Sequence, residues 1–198
     1  MNAGQTSERV YEELKRRILD RAYRPGDRLD AAQLGETLAS SVTPVRDALH
    51  VLVGEGLVGA RTGEGFHVPG IDAPGLEDLY AWNADLLDAA VRSWRAPPFD
   101  LLRPPIADPA DQTQALFAEV ATRSGNAEHR RAVSRLNDRL RAVRSLEIAV
   151  VGEAGAELAS IYELIAADDR QRLRKAIAGY HRRRRRHAGA LVRALYRD

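Results

Sequence analysis

The sequence predicts a mainly helical protein, and three observations support this prediction. Residues 25–68 read in order as a short helix, a tight turn, a second helix and a glycine-punctuated hairpin. From Leu76 onward, amphipathic helical patterns follow one another with no convincing strand. The connections between these helices are short, which is typical of antiparallel neighbours. The predicted fold class is therefore mainly α, with an N-terminal winged helix-turn-helix followed by an all-α antiparallel helical bundle.

Two helices are predicted before the tight turn. The first runs from about Ser7 to Arg21, with Ser7 as its N-cap. The apolar stripe of this helix consists of Val10, Leu14 and Ile18. The second runs from about Ala31 to Leu38, because the carboxylate of Asp30 can accept hydrogen bonds from its first N–H groups.

The third helix is predicted to open at Thr43 and Pro44. A proline near the first helical position costs no hydrogen bond, because the first N–H groups of a helix have no partner within it. The core face of this helix consists of Val45, Leu49 and Leu52. Arg46 and His50 lie one turn apart on another face, which stays exposed. Gly56 is the predicted helix stop.

A hairpin is predicted after this helix. Its short strands lie at Val58 and from Phe66 to Val68, and residues 62–65 form the turn between them. This order of elements is that of a winged helix-turn-helix, which places one helix in the major groove of DNA. The alternative is a small helical domain that is merely basic, in which the order of elements and the Thr-Pro-x-Arg opening coincide by chance.

Composition limits the class of protein. The chain has 198 residues, a formal net charge of +2 and no cysteine, so it can hold one or two domains without disulfides or thiolate metal sites. Because the whole chain is nearly neutral, any DNA affinity has to come from a local patch. No apolar run approaches the roughly 18 residues of a membrane span, and the polar start is unlike a signal peptide. These features predict a cytoplasmic protein with no membrane partner.

The turn formers of residues 71–75 predict a linker between a domain at 1–70 and a domain at 76–198. Within the second domain, residues 96–109 hold five prolines and predict an irregular connector. The predicted helices of this domain cover about 76–95, 110–123, 127–143, 145–151, 154–167 and 169–196.

Five consecutive arginines, residues 182–186, lie inside the last predicted helix. Successive helical residues are about 100° apart, so at least one arginine must face the surface on which this helix packs. Arg184 falls on the apolar stripe, between Tyr180 and Ala188. One interpretation is an internal salt bridge, or a stem that reaches solvent. The other is an effector pocket in which Arg184 holds an anionic ligand. The candidate salt-bridge partners are Asp85, Asp88 and Glu119.

The segments PGDRL, LASSVTPVRDALHVLVGEGLV and RTGEGFHV give residues 7–69 a close resemblance to the DNA-binding domain of the GntR family of bacterial transcription regulators. Two departures concern arginines common in the family, which are replaced by Val42 and Ala32. The resemblance implies DNA contacts from Thr43, Arg46 and the wing, and an operator that differs from those of relatives with both arginines. The full set of predicted DNA contacts is Arg28, Ser41, Thr43, Arg46, His50, Arg61, Thr62, Gly63 and Gly65.

The helical remainder resembles the FadR-type branch of that family, whose effector domain is called FCD. The segments LFAEVATRSGN and ELASIYELIAADDRQRLRKAI carry this resemblance. Many FCD domains bind a divalent metal through one Asp and three His, and none of these ligands is kept here. The corresponding residues are Thr113, Phe117, Leu158 and Tyr180. An arginine and a glutamate of the first FCD helix are also replaced, by Asn83 and Leu87.

No metal and no other cofactor is therefore expected. No two of the five histidines have the i,i+4 spacing of a helical metal site, and most of them are predicted to be exposed or to face DNA. A small anionic effector is expected instead, and its predicted contacts are Asn83, Tyr180, His181 and Arg184.

The predicted function is a sequence-specific DNA-binding transcription regulator, a ligand-responsive homodimeric repressor of a palindromic operator. The resemblance implies a dimer, and a twofold pair also doubles the few base pairs that one winged helix reads. The alternative is a regulator-like structural or interaction protein whose effector domain no longer binds ligand, which the six altered FCD positions favour. An enzyme is not expected, because the chain has no P-loop, no Gly-x-Ser-x-Gly motif and no acid–base pair at a telling spacing.

Overall fold

The computed structural model describes residues 3–61, 63, 65–94, 108–152 and 154–197. The chain divides into two compact units, Met1–Ile71 and Asp72–Asp198. Both are dominated by helices, as predicted. In the described part of the chain, no helix combines the length and the apolar character needed to cross a membrane.

The first unit contains three helices and three short strands. Its elements are α1 (Ala3–Leu19), β1 (Arg28–Leu29), α2 (Ala31–Thr37), α3 (Val42–Glu55), β2 (Gly59–Arg61) and β3 (Gly65–His67). The prediction of Ser7 as the N-cap of the first helix is wrong, because α1 begins at Ala3. The α1 helix ends at Leu19, and Arg21 beyond it adopts a left-handed conformation with φ 59°.

The start of α2 is capped as predicted. The Asp30 carboxylate accepts hydrogen bonds from the backbone N–H groups of Ala32 and Gln33, at 2.9 and 3.1 Å. The turn after α2 is tight, and Ala39 passes through it with φ 48°. A Cβ atom at Gly35 would lie 2.8 Å from the carbonyl oxygen of Ser40, so only glycine fits there without movement of the backbone. This close approach fixes how α3 follows α2.

The α3 helix begins at Val42, slightly earlier than predicted, and Pro44 is its third residue. The missing N–H of Pro44 is still harmless, because the first four N–H groups of a helix lack intrahelical acceptors. Gly56 ends the helix as predicted, with φ 76° and its N–H directed at the carbonyls of Leu52 and Val53. The predicted core residues Val45, Leu49 and Leu52 are fully buried.

The strands form one antiparallel sheet in the order β1-β3-β2. Gly59, Ala60 and Arg61 of β2 pair with His67, Phe66 and Gly65 of β3. The sequence predicted strands at Val58 and at 66–68; Val58 lies just before β2, and β1 was not predicted. The two residues of β1 are too few to show a periodic pattern in the sequence, and this strand forms because it pairs with β3.

Long-range polar contacts hold α3 in place within the first unit. Glu55, the last residue of α3, accepts hydrogen bonds from Tyr11 at 2.7 Å and from Lys15 at 3.0 Å, both on α1. Arg9 of α1 donates to the carbonyl of Leu38 at the end of α2, at 3.1 Å. These contacts lie over a core that includes Val10 and Leu14, both fully buried.

The second unit is helical throughout its described residues. Its elements are α4 (Ala73–Arg92), α5 (Pro109–Thr122), α6 (Ala127–Arg144), α7 (Glu147–Val151), α8 (Ala154–Ala166), α9 (Arg170–Arg186) and α10 (Ala188–Leu195). The α4 helix begins inside the segment predicted as linker, where the Asp72 carboxylate caps it through the N–H of Gly75 at 2.8 Å. The predicted helix at 169–196 is two helices, because the backbone departs from helical geometry at His187. The predicted connector at 96–109 lies almost wholly outside the described residues.

The α4 helix lies at the centre of this unit and packs against α5, α6, α9 and α10. Its apolar residues Leu79, Leu86 and Ala90 are buried, and so is the predicted stripe of the last helices. The buried residues of that stripe are Leu173, Ile177, Tyr180, Ala188, Leu191 and Leu195. The core of the second unit therefore follows the helical period read from the sequence.

Gly35→Ala should destabilise the first unit by about 1–3 kcal/mol, because the added methyl group overlaps a backbone oxygen. Gly54→Ala is a matched control: Gly54 also lies within a helix, but no atom lies within 4 Å of its Cβ position. That change should stabilise the protein by up to about 1 kcal/mol. Urea denaturation measures both free energies of unfolding, and a Gly35→Ala variant as stable as the wild type would contradict the proposed constraint.

Candidate functional site

The α3 helix presents one exposed face opposite its buried one. Thr43, Arg46 and His50 are exposed on it, and Val42 is 40% exposed at its start. The side chains of these residues extend from a helix whose other face is fixed in the core, so their positions are set by a rigid element. All the predicted DNA contacts that the structure describes are exposed. They are Arg28, Ser41, Thr43, Arg46, His50, Arg61, Gly63 and Gly65; Thr62 lies outside the described residues.

The start of α3 has no internal cap. Ser41 is the N-cap residue, but its side chain makes no hydrogen bond to the helix, and the first turn carries no acidic residue. Asp or Asn side chains cap α2, α4, α5, α6 and α9. The α7 and α10 helices also lack a side-chain cap, but they follow almost directly on the preceding helix. The open N–H groups and the positive end of the α3 dipole therefore offer a site for an external anion.

Two of the predicted DNA contacts, Arg28 and Arg46, affect the residue that caps α2. Asp30 accepts backbone hydrogen bonds from Gln33 and Ala32, which lower the pKa of its carboxyl, and the positive charges of Arg28 and Arg46 lower that pKa further. The charges of Arg28, on β1, and of Arg46, on α3, thus both act on this carboxylate, although neither forms an ion pair with it. The sequence identified Asp30 only as a cap, since its proximity to Arg46 depends on how α2 and α3 pack.

The hairpin lies beside the same helix. The ring of His50 on α3 meets the ring of Phe66 on β3 edge to face, with centroids 5.0 Å apart. Gly63 and Gly65 have φ values of 81° and 80°, so the tip of the hairpin uses a conformation that favours glycine. A Cβ atom at Gly59 would lie 2.4 Å from the ring of His67, which shows how closely the two strands pack. The α3 helix and the wing form one continuous exposed surface.

The second unit contains a buried polar cluster around Glu147, a residue that the sequence analysis did not identify. Its carboxylate accepts hydrogen bonds from the hydroxyls of Tyr80 and Tyr180 and from Nε of Arg184, each at 2.8 Å. Burial and the negative charge of Glu147 raise the pKa of both tyrosines, so their hydroxyls stay protonated and donate. Glu147 therefore joins α4, α7 and α9.

Arg184 faces inward, as its helical phase predicted, and its side chain is fully buried. It forms ion pairs with Glu147 and Glu157, and its guanidinium lies 3.3 Å from the centre of the Tyr180 ring. Burial alone would lower the pKa of Arg184, but the negative charge of Glu147 and the hydrogen bonds to Glu147 and Glu157 raise that pKa.

The internal salt bridge exists, but the partners predicted for it are wrong. Asp88 pairs with Arg92 and Arg174. Glu119 pairs with Arg123, and Asp85 is exposed.

His181 is also buried, whereas most of the five histidines were predicted to be exposed or to face DNA. Burial lowers the pKa of its ring to about 3, so the ring is neutral. Its Nδ1–H donates to the carbonyl of Ile177 at 2.8 Å, which leaves a lone pair on Nε2, 3.0 Å from the Asn83 amide. Asn83 must therefore donate to it from Nδ2, an arrangement that also gives this otherwise unpaired nitrogen a partner.

The four predicted effector contacts, Asn83, Tyr180, His181 and Arg184, lie together in this cluster, but the anionic-ligand role of Arg184 does not fit it. Two carboxylates already face Arg184, and they would repel an added anion. Of the positions aligned with metal ligands, Phe117 packs edge to face on Tyr180 at 5.3 Å, and Thr113 and Leu158 are buried. The described residues contain no group of three His, Cys, Asp or Glu side chains arranged to hold a metal.

Arg184→Met should destabilise the protein by about 3–5 kcal/mol, because it removes the cation paired with the buried Glu147 carboxylate. The control is Arg185→Met, since Arg185 is the exposed neighbour on the same helix. Thermal and urea unfolding of both variants test the prediction. If both variants are as stable as the wild type, the ion pair does not stabilise this unit.

The buried neutral ring of His181 predicts a loss of stability in acid. The unfolded ring takes up a proton near its ordinary pKa of 6.5, whereas the folded ring does so only near 3. Stability should therefore fall as the pH drops from about 6.5 toward 3, since the unfolded state binds the extra proton. His181→Gln should lose less stability than the wild type between pH 7 and about pH 5. If urea unfolding shows that the wild type and His181→Gln lose the same free energy of unfolding between the two pH values, this role of His181 is contradicted.

The comparisons with known proteins agree on the first unit. Residues 6–68 match the family model of bacterial regulatory proteins, gntR family. The Nta operon transcriptional regulator of Aminobacter aminovorans is 39% identical over 70 residues, which is 35% of this chain and 33% of that protein. The chain spans about a third of the length of the curated relatives it matches.

Two solved structures resemble the whole chain. A Rhodococcus sp. RHA1 protein described as a GntR transcriptional regulator has a TM-score of 0.77 at 19% identity, over 92% of this chain and 96% of that one. E. coli McbR/YncC has a TM-score of 0.71 at 19% identity, over 100% and 99%. The FadR-type assignment and the FCD resemblance stay predictions. The N-terminal unit is therefore a domain of the gntR family of bacterial regulatory proteins, and the whole chain shares the fold of a solved GntR protein.

Proposed function

We propose that this protein is a bacterial transcription regulator that binds operator DNA through the exposed face of α3. The observation that carries the proposal is the uncapped start of α3, with Ser41, Thr43 and Arg46 exposed around it. A DNA phosphate would supply the acceptor that the open N–H groups lack. The family of the first unit and the name of the Aminobacter relative support the same function.

In the proposed complex, α3 enters the major groove and each group has a separate role. Arg46 reads a guanine through two parallel hydrogen bonds, because its fork of donors matches the O6 and N7 acceptors. Ser41 and Thr43 contact the phosphate backbone beside the helix start. Val42 packs on a thymine methyl group, a contact that an apolar side chain can make. The wing, with Arg61 and two glycines, follows the adjacent backbone.

The regulator acts as a homodimer on a palindromic site in this proposal. One α3 helix reaches only a few base pairs, and a twofold axis repeats the same contacts on the second half-site. The net charge of the chain is only +2, so overall charge contributes little to DNA affinity. The contacts repeated on the second half-site are therefore what raises the affinity for the operator above that for random DNA. Repression then depends on a ligand that binds the helical unit and changes how well the two DNA-binding units fit the operator.

A second candidate is a regulator-like interaction protein that no longer responds to a ligand. The buried cluster favours it, because the acidic and basic groups around Arg184 are already matched inside the protein. A ligand that binds only the folded state raises the melting temperature, so thermal-shift screening separates the two candidates.

The proposed function predicts that Arg46→Ala weakens binding to the cognate operator by about 1–3 kcal/mol and hardly affects random DNA. Genomic binding-site selection with the purified protein supplies the operator, and fluorescence anisotropy measures affinity for both DNAs. The control is Arg135→Ala, which removes an exposed arginine of α6 in the other unit.

Equal losses on both DNAs would show that Arg46 contacts only phosphate. The selected sites also test the dimer, because a twofold protein must select sequences with twofold symmetry. A set of sites without symmetry would contradict the homodimer on a palindrome.

A further inference from the structure

An open groove of about 690 Å³ lies along α9, with Glu157 and Ser160 of α8 among its lining residues. Its size comes from small residues, because Ala176 and Gly179 of α9 and Ser160 line it where larger side chains would fill it. A volume of this size matches that of pockets for small metabolites, about 300–1,000 Å³. The groove adjoins the buried cluster, since Tyr180 and Glu157 border both.

Three arginines of the 182–186 run line this groove: Arg182, Arg183 and Arg186. Arg183 pairs with Glu157 at 3.0 Å, and the other oxygen of Glu157 is taken by Arg184. Arg182 and Arg186 are exposed and form no ion pair with any described residue. They lie one helical turn apart, where like charges repel. The groove therefore has an excess of positive charge that the described chain does not neutralise.

Some arginines of the same unit pair with nearby carboxylates. Arg92 pairs with Asp88, Arg131 with Glu128 and Arg172 with Asp169. Arg182 and Arg186 lack a described ion pair, as the exposed Arg135 and Arg139 do, but they differ from those two in lining a preformed groove. His187, which also lines the groove, donates from Nδ1 to the carbonyl of Arg183 at 2.9 Å, so its Nε2 remains for another partner.

We propose that this groove binds a small organic polyanion that carries at least two carboxylate or phosphate groups. Each guanidinium can hold one such group through two parallel hydrogen bonds, and two guanidiniums one turn apart fit a ligand with two separated anionic ends. Ser160 and His187 add further hydrogen-bonding groups to the lining of the groove. A single carboxylate would leave one of the two arginines unmatched.

A chain of ion pairs connects the groove to the buried cluster. Glu157 bridges Arg183 in the groove and Arg184 in the core, and Arg184 in turn holds Glu147. An anion that draws Arg183 away from Glu157 changes the charge balance around Arg184. The groove is therefore a candidate for the effector site of the helical unit. This assignment rests on the proposed function, whereas anion binding by the groove does not.

Isothermal titration calorimetry of the full chain with citrate and with fructose 1,6-bisphosphate tests the proposal. Citrate represents the polycarboxylates and the bisphosphate represents the phosphate esters. The double variant Arg182→Gln/Arg186→Gln should bind the preferred probe at least about tenfold more weakly than the wild type, because it loses two charge-assisted contacts. The matched control is Arg135→Gln/Arg139→Gln, which removes two exposed arginines one turn apart on α6.

Binding of either probe that the groove variant loses and the control keeps supports the proposal and identifies the class of anion. Three results would overturn it: no binding of either probe to the wild type, equal losses in both variants, or a groove variant that loses affinity for random duplex DNA instead. Melting curves establish that both variants are folded. Since no operator is present in the titration, failure here is separate from failure of the DNA-binding proposal.

Discussion

The buried carboxylate of Glu147 is the constraint on which the helical unit depends. An ionised carboxylate that is 2% exposed costs several kcal/mol unless charge and hydrogen bonds replace the lost water. Tyr80, Tyr180 and Arg184 supply these contacts from two different helices, α4 and α9. The short α7 helix, which carries Glu147, is held in place by its partners. Helix positions in this unit are therefore set by a polar cluster as well as by apolar packing, because each donor has to reach the same two oxygens.

This cluster contains Tyr180 and borders Phe117, two positions at which the predicted resemblance to FCD domains would place metal ligands. A metal joins helices because each ligand donates an electron pair to the same ion; here Phe117 and Tyr180 have no such role, and their rings pack on each other and on buried arginines. Glu147 and Arg184 join the helices instead, through an ion pair inside the protein. Since that pair is internally matched, the centre of the bundle has no need of an anion, whereas the groove along α9 keeps unmatched positive charge at its surface.

Local chemistry in the sequence predicted the parts of this structure that depend on a few neighbouring residues. The cap at Asp30, the stop at Gly56 and the inward phase of Arg184 all follow from helical spacing and backbone preferences. The partner of Arg184 could not be predicted in the same way, because Glu147 lies 37 residues away and only packing brings it near. The break at His187 was also missed, since its neighbours keep the helical period on both sides. The exposed face of α3 was predictable, but the effect of the Arg28 and Arg46 charges on the pKa of Asp30 was not.

The uncapped start of α3 lowers the stability of the first unit but leaves backbone N–H groups available for binding. Replacing a good N-cap by a residue that makes no capping hydrogen bond costs about 1 kcal/mol, and the helices α2, α4, α5, α6 and α9 avoid that cost with Asp or Asn caps. The first unit offsets this cost at the far end of α3, where Glu55 takes hydrogen bonds from Tyr11 and Lys15 of α1, and at the tight turn where Gly35 meets the Ser40 carbonyl. A helix held at its other end can leave its first N–H groups open without fraying. Those groups then remain available for an external acceptor, such as the DNA phosphate of the proposed complex.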